Sequence, residues 1–283
     1  MRFTKLHSLG NDFLVVCPNE ELDLLRVGDF ARRMCDRHTG VGADGLLLIS
    51  VEDPARDEAS FRIFNADGTE AEISGNGLRC AMACLDHHKK VSSSRVVFKT
   101  PAGSRTCEVK GSQGTVYEIM IDMGAPRLRS SEIPFDDGQP HDRLIDYPMP
   151  INQKTYDITC VSMGNPHCDV FVDRFPARIE WHQIGREIES HPFFPNRTNV
   201  EFIRVLNRGE IDVLFWERGV GETLSSGSGS SAAAVAAILK GLTDRTVKVW
   251  TSMGALTVDW QPGGEVFQTG PSEVVFEGDY PAR

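Results

Sequence analysis

Asn65-Ala-Asp-Gly-Thr-Glu-Ala-Glu-Ile-Ser74-Gly75-Asn76-Gly77 and Glu217-Arg-Gly-Val-Gly-Glu-Thr-Leu-Ser-Ser226-Gly227-Ser228-Gly229 are two versions of one pattern. They stand 226 − 74 = 152 positions apart, and within them Glu70 falls on Glu222, Gly75 on Gly227 and Gly77 on Gly229. Each runs from a strand into a glycine-rich turn and then into an apolar helix. A fixed period is the mark of repeated structural units. The duplicated strand-turn-helix therefore predicts two facing lobes, each presenting one serine.

The repeat extends outward from this point. Ser8-Leu9-Gly10-Asn11 matches Ser162-Met163-Gly164-Asn165 at 165 − 11 = 154, and Thr100-Pro-Ala-Gly103 matches Thr251-Ser-Met-Gly254 at 251 − 100 = 151. Alternation and β-branched content predict strands at 13–17, 45–51, 60–65, 96–99 and 104–109. They recur at 170–172, 199–205, 211–216, 247–250 and 255–260. Helical period and length predict helices at 29–36, 78–88, 181–189 and 230–239. Ala81, Ala83 and Leu85, like Ala232 to Leu239, are apolar on nearly every face, which marks buried helices. The fold class is α/β (α+β): two pseudo-symmetric lobes from internal duplication, each with its strands wrapped around a central helix. The boundary lies near Gly124-Ala-Pro126, and 130–147 reads as a polar connection. The tail from Pro271 reads as a further strand, 273–276, returning to the first lobe. The lobes are thus 1–123 plus 271–283, and 124–270, with a cleft between them.

Composition narrows the function. The 283 residues are 40% hydrophobic and 25% charged, with a formal charge of −10. No Lys/Arg block interrupts the acidic background, which argues against a nucleic-acid partner. The start is too polar for a signal peptide, and no apolar run reaches bilayer length, so no membrane role is expected. The seven cysteines form no disulfide framework, and a reducing cytoplasm is the expected location. His167 beside Cys168 lacks a second ligand pair, so no metal is expected.

A glycine-rich turn opening a helix offers backbone N–H groups and the positive end of the helix dipole to an anion. Two such openings facing one another would grip one carboxylate, with Ser74 on one side and Ser226 on the other. Opposed groups suit removal of a proton from one face of a carbon and its return to the other, which inverts a stereocentre without a cofactor. Two rival patterns are weaker. Gly227-Ser-Gly229-Ser-Ser-Ala232 has the spacing of a dinucleotide turn but does not directly follow a strand. A serine hydrolase needs Gly two places before its nucleophile, where this chain has Glu72 and Leu224.

Several segments together resemble the diaminopimelate epimerase family of cofactor-independent amino-acid epimerases and racemases. They are His7-Ser-Leu-Gly-Asn-Asp-Phe13, Gly40-Val-Gly-Ala-Asp-Gly45, Phe64-Asn-Ala-Asp-Gly68, Gly75-Asn-Gly77, Met163-Gly-Asn-Pro-His167, Thr198-Asn199 and Glu217-Arg-Gly219. The resemblance implies a curled mixed sheet around the central helix of each lobe, a diaminopimelate-like amino acid as the small-molecule partner and no cofactor. It also admits a homodimer. Asn11, Asn65, Asn165, Asn199 and Arg218 would hold the substrate's far amino and carboxylate groups. His167 and Glu217 would support proton transfer. The backbone of Gly75, Asn76, Gly227 and Ser228 would hold the reacting carboxylate.

The chain departs from the resemblance at its centre, because the family uses a cysteine pair where Ser74 and Ser226 stand. A thiol titrates near 8.5 and an alcohol closer to water's 15.7, a gap of roughly seven units that makes alkoxide costlier by on the order of 10 kcal/mol. A neighbouring base, His167 or Glu217, could recover part of this. Three readings follow: an epimerase of altered acidity demand, an amino-acid-binding homologue without turnover, or a Cys-to-Ser substrate trap.

Overall fold

The computed structural model describes residues 1–18, 26–53, 56–152 and 154–281. The remaining positions of the two expected lobes, 282–283 among them, lie outside the described residues. The chain divides into two compact units, Met1–Asp122 with Thr269–Arg283, and Met123–Gln268.

The first unit contains β1 (Arg2–Ser8), β2 (Asn11–Val16), α1 (Val27–Cys35), β3 (Gly45–Asp53), β4 (Glu58–Asn65), β5 (Glu70–Ala71), α2 (Gly75–His87), β6 (Arg95–Thr100), β7 (Gly103–Gln113) and β8 (Val116–Gly124). The sheet is mixed: β2 and β3 are parallel, as are β4 and β6, while β1–β2, β3–β4, β6–β7 and β7–β8 are antiparallel. Leu46, Leu47, Leu48 and Ile49 are all buried, so β3 is covered on both faces. Val27, Phe30, Ala31, Met34 and Cys35 form the buried stripe of α1, at the spacing of one helical face, and cluster with Leu14, Val16, Leu46 and Leu48. On the opposite side α2 packs on β1, β2, β3, β4 and β7. Its residues Asn76 to Leu85 are buried all round, as a central helix requires.

The second unit repeats the order. It contains β9 (Leu144–Ile151), β10 (Lys154–Ser162), β11 (Pro166–Phe171), α3 (Arg178–Glu189), β12 (Asn199–Asn207), β13 (Glu210–Glu217), β14 (Gly221–Thr223), α4 (Gly227–Leu239), β15 (Thr246–Thr251) and β16 (Gly254–Trp260). Strands β11 and β12 are parallel, as are β13 and β15, while β10–β11, β12–β13 and β15–β16 are antiparallel. The register repeats as well: Phe64 pairs with Glu70, and Trp216 with Glu222, each position shifted by 152. Trp181, Ile184 and Ile188 of α3 cluster with Cys168, Val170, Val200 and Phe202 on one face. On the other face α4 packs on β10, β11, β12, β13, β15 and β16.

The last strand, β17 (Val266–Asp279), pairs antiparallel with β1 from Arg2↔Asp279 to His7↔Glu273. No helix among the described residues is long and apolar enough to cross a membrane.

Local expectations and structure differ in several respects. Helices α2 and α4 begin at Gly75 and Gly227, three residues before the expected starts, so the glycine-rich stretches form the first helical turns and not loops before them. The expected polar connection 130–147 carries core residues Ile133, Phe135 and Leu144 and the start of β9. Strands β1, β5, β8, β9, β10 and β14 had no counterpart in the sequence reading, and β17 begins at Val266, ahead of the expected 273–276. In β10 the outer residues 154–157 are polar and only 158–162 are buried, which blurs its alternation.

Candidate active site

Ser74 and Ser226 hold the same local position. Each is the N-cap of its helix, in extended conformation (φ −144°, ψ 124°, and φ −135°, ψ 125°). Ser74 Oγ accepts the Gly77 N–H at 3.0 Å, and Ser226 Oγ accepts that of Gly229 at 3.3 Å. Serine is among the best N-caps because its short side chain meets the third helical N–H. The first intrahelical bonds follow, Leu78 N–H to Ser74 C=O at 2.8 Å and Ser230 N–H to Ser226 C=O at 2.9 Å. Helix geometry then directs the N–H groups of Gly75 and Asn76, and of Gly227 and Ser228, outward along the axis. These are the backbone groups suited to an anion.

In the first unit Asn11 opens β2 beside this helix start. Its Oδ1 accepts from Asn76 Nδ2 at 3.2 Å, and its Nδ2 donates to Asp44 Oδ2 at 2.8 Å. Asp44 and Asp12 share Arg37, and Lys5 adds a contact to Asp12 at 2.9 Å. Burial raises the Asp12 pKa, but the bonds from Arg37 and Lys5 outweigh it and bring the carboxylate down to about 2. Asn65 is exposed at the end of β4 and donates to Thr69 Oγ1 at 2.9 Å, while the adjacent Ala66 N–H bonds Asp44 C=O. Sequence reasoning missed Arg79. It is fully buried in α2, bonds Ser8 Oγ at 2.8 Å through Nε and donates to Asn76 Oδ1 through Nη2. Burial lowers its pKa to about 10, so it stays charged at neutral pH. A lone arginine within Leu78-Arg79-Cys80-Ala81 was the available signal.

In the second unit Asn165, His167, Ser228 and the start of α4 come together. Asn165 Nδ2 donates to Ser228 Oγ at 3.3 Å, and Asn165 Oδ1 lies 3.0 Å from His167 Nε2. His167 Nδ1 lies 2.7 Å from Glu201 Oε1, with both side chains buried. Burial brings His167 down to about 3 and pushes Glu201 well above the usual carboxylate range, reinforced there by the Glu217 charge. The same cause, burial, disfavours the charged form of each partner.

Asn199 is tied to the chain's own backbone, donating to Pro166 C=O at 2.8 Å and accepting the Arg218 N–H at 2.9 Å. Arg218 is exposed and bonds Asn196 C=O at 3.0 Å, and half-buried Glu217 accepts from Thr223 Oγ1 at 2.6 Å. Glu189, at the end of α3, holds this loop through Gly219 N–H at 2.9 Å and Trp216 Nε1 at 2.8 Å. Neither Glu189 nor Glu201 was expected from sequence. A glutamate within the apolar run Val200-Glu201-Phe202-Ile203 was the signal for the second.

The diaminopimelate epimerase family profile matches residues 3–129 and 159–275. The diaminopimelate epimerase of Pelotomaculum thermopropionicum is 46% identical over 284 residues, covering 100% of both chains. That of Moorella thermoacetica is 42% identical over 283 residues, covering 99% of each. Among solved structures, a probable proline racemase from Agrobacterium radiobacter K84 superposes with a TM-score of 0.70 at 15% identity, covering 100% of this chain and 93% of that one. A hydroxyproline epimerase from Agrobacterium vitis gives 0.65 at 16%, covering 98% and 90%. At these identities the two structures support the fold alone. The profile spans both serine-capped helix starts and both asparagine clusters, and full-length identity reaches 46%, so this chain belongs to the diaminopimelate epimerase family.

Proposed function

We propose that this protein inverts the configuration at an amino-acid α-carbon, with diaminopimelate as substrate, by two proton transfers without a cofactor. The observation that carries the reading is the equivalent placement of Ser74 and Ser226 as caps of α2 and α4, in a chain matched to the family along its length. One serine, as the alkoxide, takes the α-proton as the C–H bond breaks and becomes the alcohol. The other, an alcohol, gives its O–H proton to the opposite face of the carbanion and is left as the alkoxide, and the roles exchange in the reverse direction. The outward N–H groups of Gly75, Asn76, Gly227 and Ser228 hold the α-carboxylate and stabilise charge developing next to it. Asn11, Asn65, Asn165 and Arg218 hold the distal amino and carboxylate groups, Asn199 holds the Arg218 backbone in place, and Glu217 assists proton transfer while His167 orients Asn165.

Position at a helix N-terminus favours the anionic form of a capping oxygen by up to about 2 kcal/mol. That offsets only a fraction of the roughly 10 kcal/mol separating alkoxide from thiolate. Turnover is therefore slow compared with a cysteine pair. The same observation favours a second reading, in which the serines serve as caps and the protein binds the amino acid without turning it over.

Incubation with L,L- and meso-diaminopimelate in heavy water separates the two. Deuterium at the α-carbon is expected, together with a large gain of epimerase activity in the Ser74→Cys/Ser226→Cys variant. Saturable binding by calorimetry without deuterium uptake, and without gain in the double variant, would sink the catalytic reading and leave the binding one.

A further inference from the structure

The duplication supplies an internal control for the residues beneath α4. Parallel strands β2 and β3 place Phe13 opposite Gly45 and Val15 opposite Leu47. Parallel strands β11 and β12 place His167 opposite Asn199 and Asp169 opposite Glu201. All four positions are shifted equally, since 167 − 13, 199 − 45, 169 − 15 and 201 − 47 each equal 154. Phe13, Val15 and Leu47 are 3%, 1% and 0% exposed, and His167, Asp169 and Glu201 are 0%, 0% and 1%. One fold thus fills the same interior places with three apolar side chains in one unit and three ionisable ones in the other. Packing does not require the polar set, and burying it disfavours folding unless its groups are paired.

The glutamate has a built seat. A Cβ at Gly229 would lie 2.6 Å from Glu201 Oε1, so any side chain there would push the carboxyl from its place under the first turn of α4. At the matching Gly77 the neighbour is Leu47 Cδ2, at 3.4 Å. Glu201 Oε1 meets His167 Nδ1, whereas Glu201 Oε2 and both Asp169 carboxyl oxygens have no hydrogen-bond partner among the described residues. Burial first, and then the nearby Glu201 charge, raises Asp169 well above its ordinary range. The other charges acting on His167 are Glu217 and Arg218, of opposite sign.

We propose that Glu201 is a positioning residue that donates its carboxyl proton to His167 Nδ1, fixing the tautomer whose Nε2–H orients Asn165 toward Ser228 at the start of α4. The chain of orientation runs from Glu201 through His167 and Asn165 to Ser228, and of its links the first unit repeats only Asn11–Asn76, with Leu47 and Phe13 where Glu201 and His167 stand. The two halves of the duplication are therefore chemically unequal at these matched positions, where the second carries a tautomer-locked imidazole and the first a phenyl ring. The kinetic consequence rests on the proposed epimerisation. The structural claim does not.

The test is ¹⁵N NMR of the full-length protein labelled at histidine, with the His167 signals assigned by its loss in His167→Phe. A neutral imidazole protonated at Nε2 is expected at neutral pH. Glu201→Gln keeps a donor, its amide N–H, and should preserve that tautomer and the rate of α-carbon exchange. Glu201→Leu removes the donor, should release the tautomer, and should slow exchange tenfold or more, since a wrongly held imidazole loses most of its effect. The variant His167→Phe/Asp169→Val/Glu201→Leu, which installs the residues of the first unit, should fold with stability no lower than the parent. An imidazolium signature at neutral pH, loss of the tautomer in Glu201→Gln, its retention in Glu201→Leu, or failure of the triple variant to fold would each overturn the proposal. Absence of exchange in the parent would defeat the epimerisation reading while the NMR result still decides the role of Glu201.

Discussion

At the scale of single residues, Ser74 and Ser226 each serve helix geometry as well as any chemistry they perform, because the oxygen that would meet a substrate proton also closes a helix start. Alanine at either position removes the cap and should lower stability by about 1 kcal/mol in urea denaturation, with glycine costing only a few tenths. Equal stability of parent and both alanine variants would show that the hydroxyls do not cap. His167 gives a pH signature. Its folded pKa of about 3 lies below the ordinary value of about 6.5, so between these values the unfolded chain binds a proton that the folded chain refuses. Its stabilising contribution is complete above about 6.5 and is lost as pH falls toward 3. Denaturation at pH about 7 and about 4 should therefore show a smaller acid loss in His167→Phe than in the parent. Glu201, raised by burial, acts in the opposite sense, losing stability as pH rises above its unfolded value, so only the difference between parent and variant isolates the histidine.

At the scale of elements, the two central helices open alike but tolerate change differently. A methyl group at Gly77 would meet Ser74 Cβ, Phe61 and Leu47 at 3.2 to 3.4 Å. There the gain in helix propensity, about 1 kcal/mol, offsets most of the crowding. At Gly229 it would stand 2.6 Å from Glu201 Oε1 and 3.0 Å from Phe215 Cδ1. Gly77→Ala should thus leave the melting temperature nearly unchanged, while Gly229→Ala should cost a further 1–3 kcal/mol or so and displace the Glu201 carboxyl from His167. A similar cost at both sites would refute the inequality of the two helix starts. The turn before β2 shows why some elements escaped notice. Leu9 and Gly10 carry φ of 50° and 79° between Ser8 and Asn11, the geometry of a tight hairpin, yet leucine is not a residue that announces positive φ. Strand β1 was missed with it.

At the scale of the whole chain, β17 ties the last residues to the first. It pairs along β1, the Met1 amino group bonds Tyr280 C=O at 2.6 Å, and Pro271 C=O accepts the Ser8 hydroxyl, whose oxygen in turn holds Arg79. A chain ending at Gly270 should lose hydrogen-exchange protection throughout β1 and β2, and protection like that of the full chain would show that the returning strand is dispensable. The sequence by itself determined the duplication, the class of fold, the two buried helices and the serines at their starts. Each of these is written in period, composition or short-range spacing, and short-range terms act between residues that are neighbours in the chain. Tertiary structure alone decided that the glycines lie inside the helices, that Asn199 is spent on backbone, and that Glu201 meets His167 across parallel strands 34 positions apart. A side chain's protonation and partners depend on burial and on groups brought close only by folding, and no local pattern encodes that proximity.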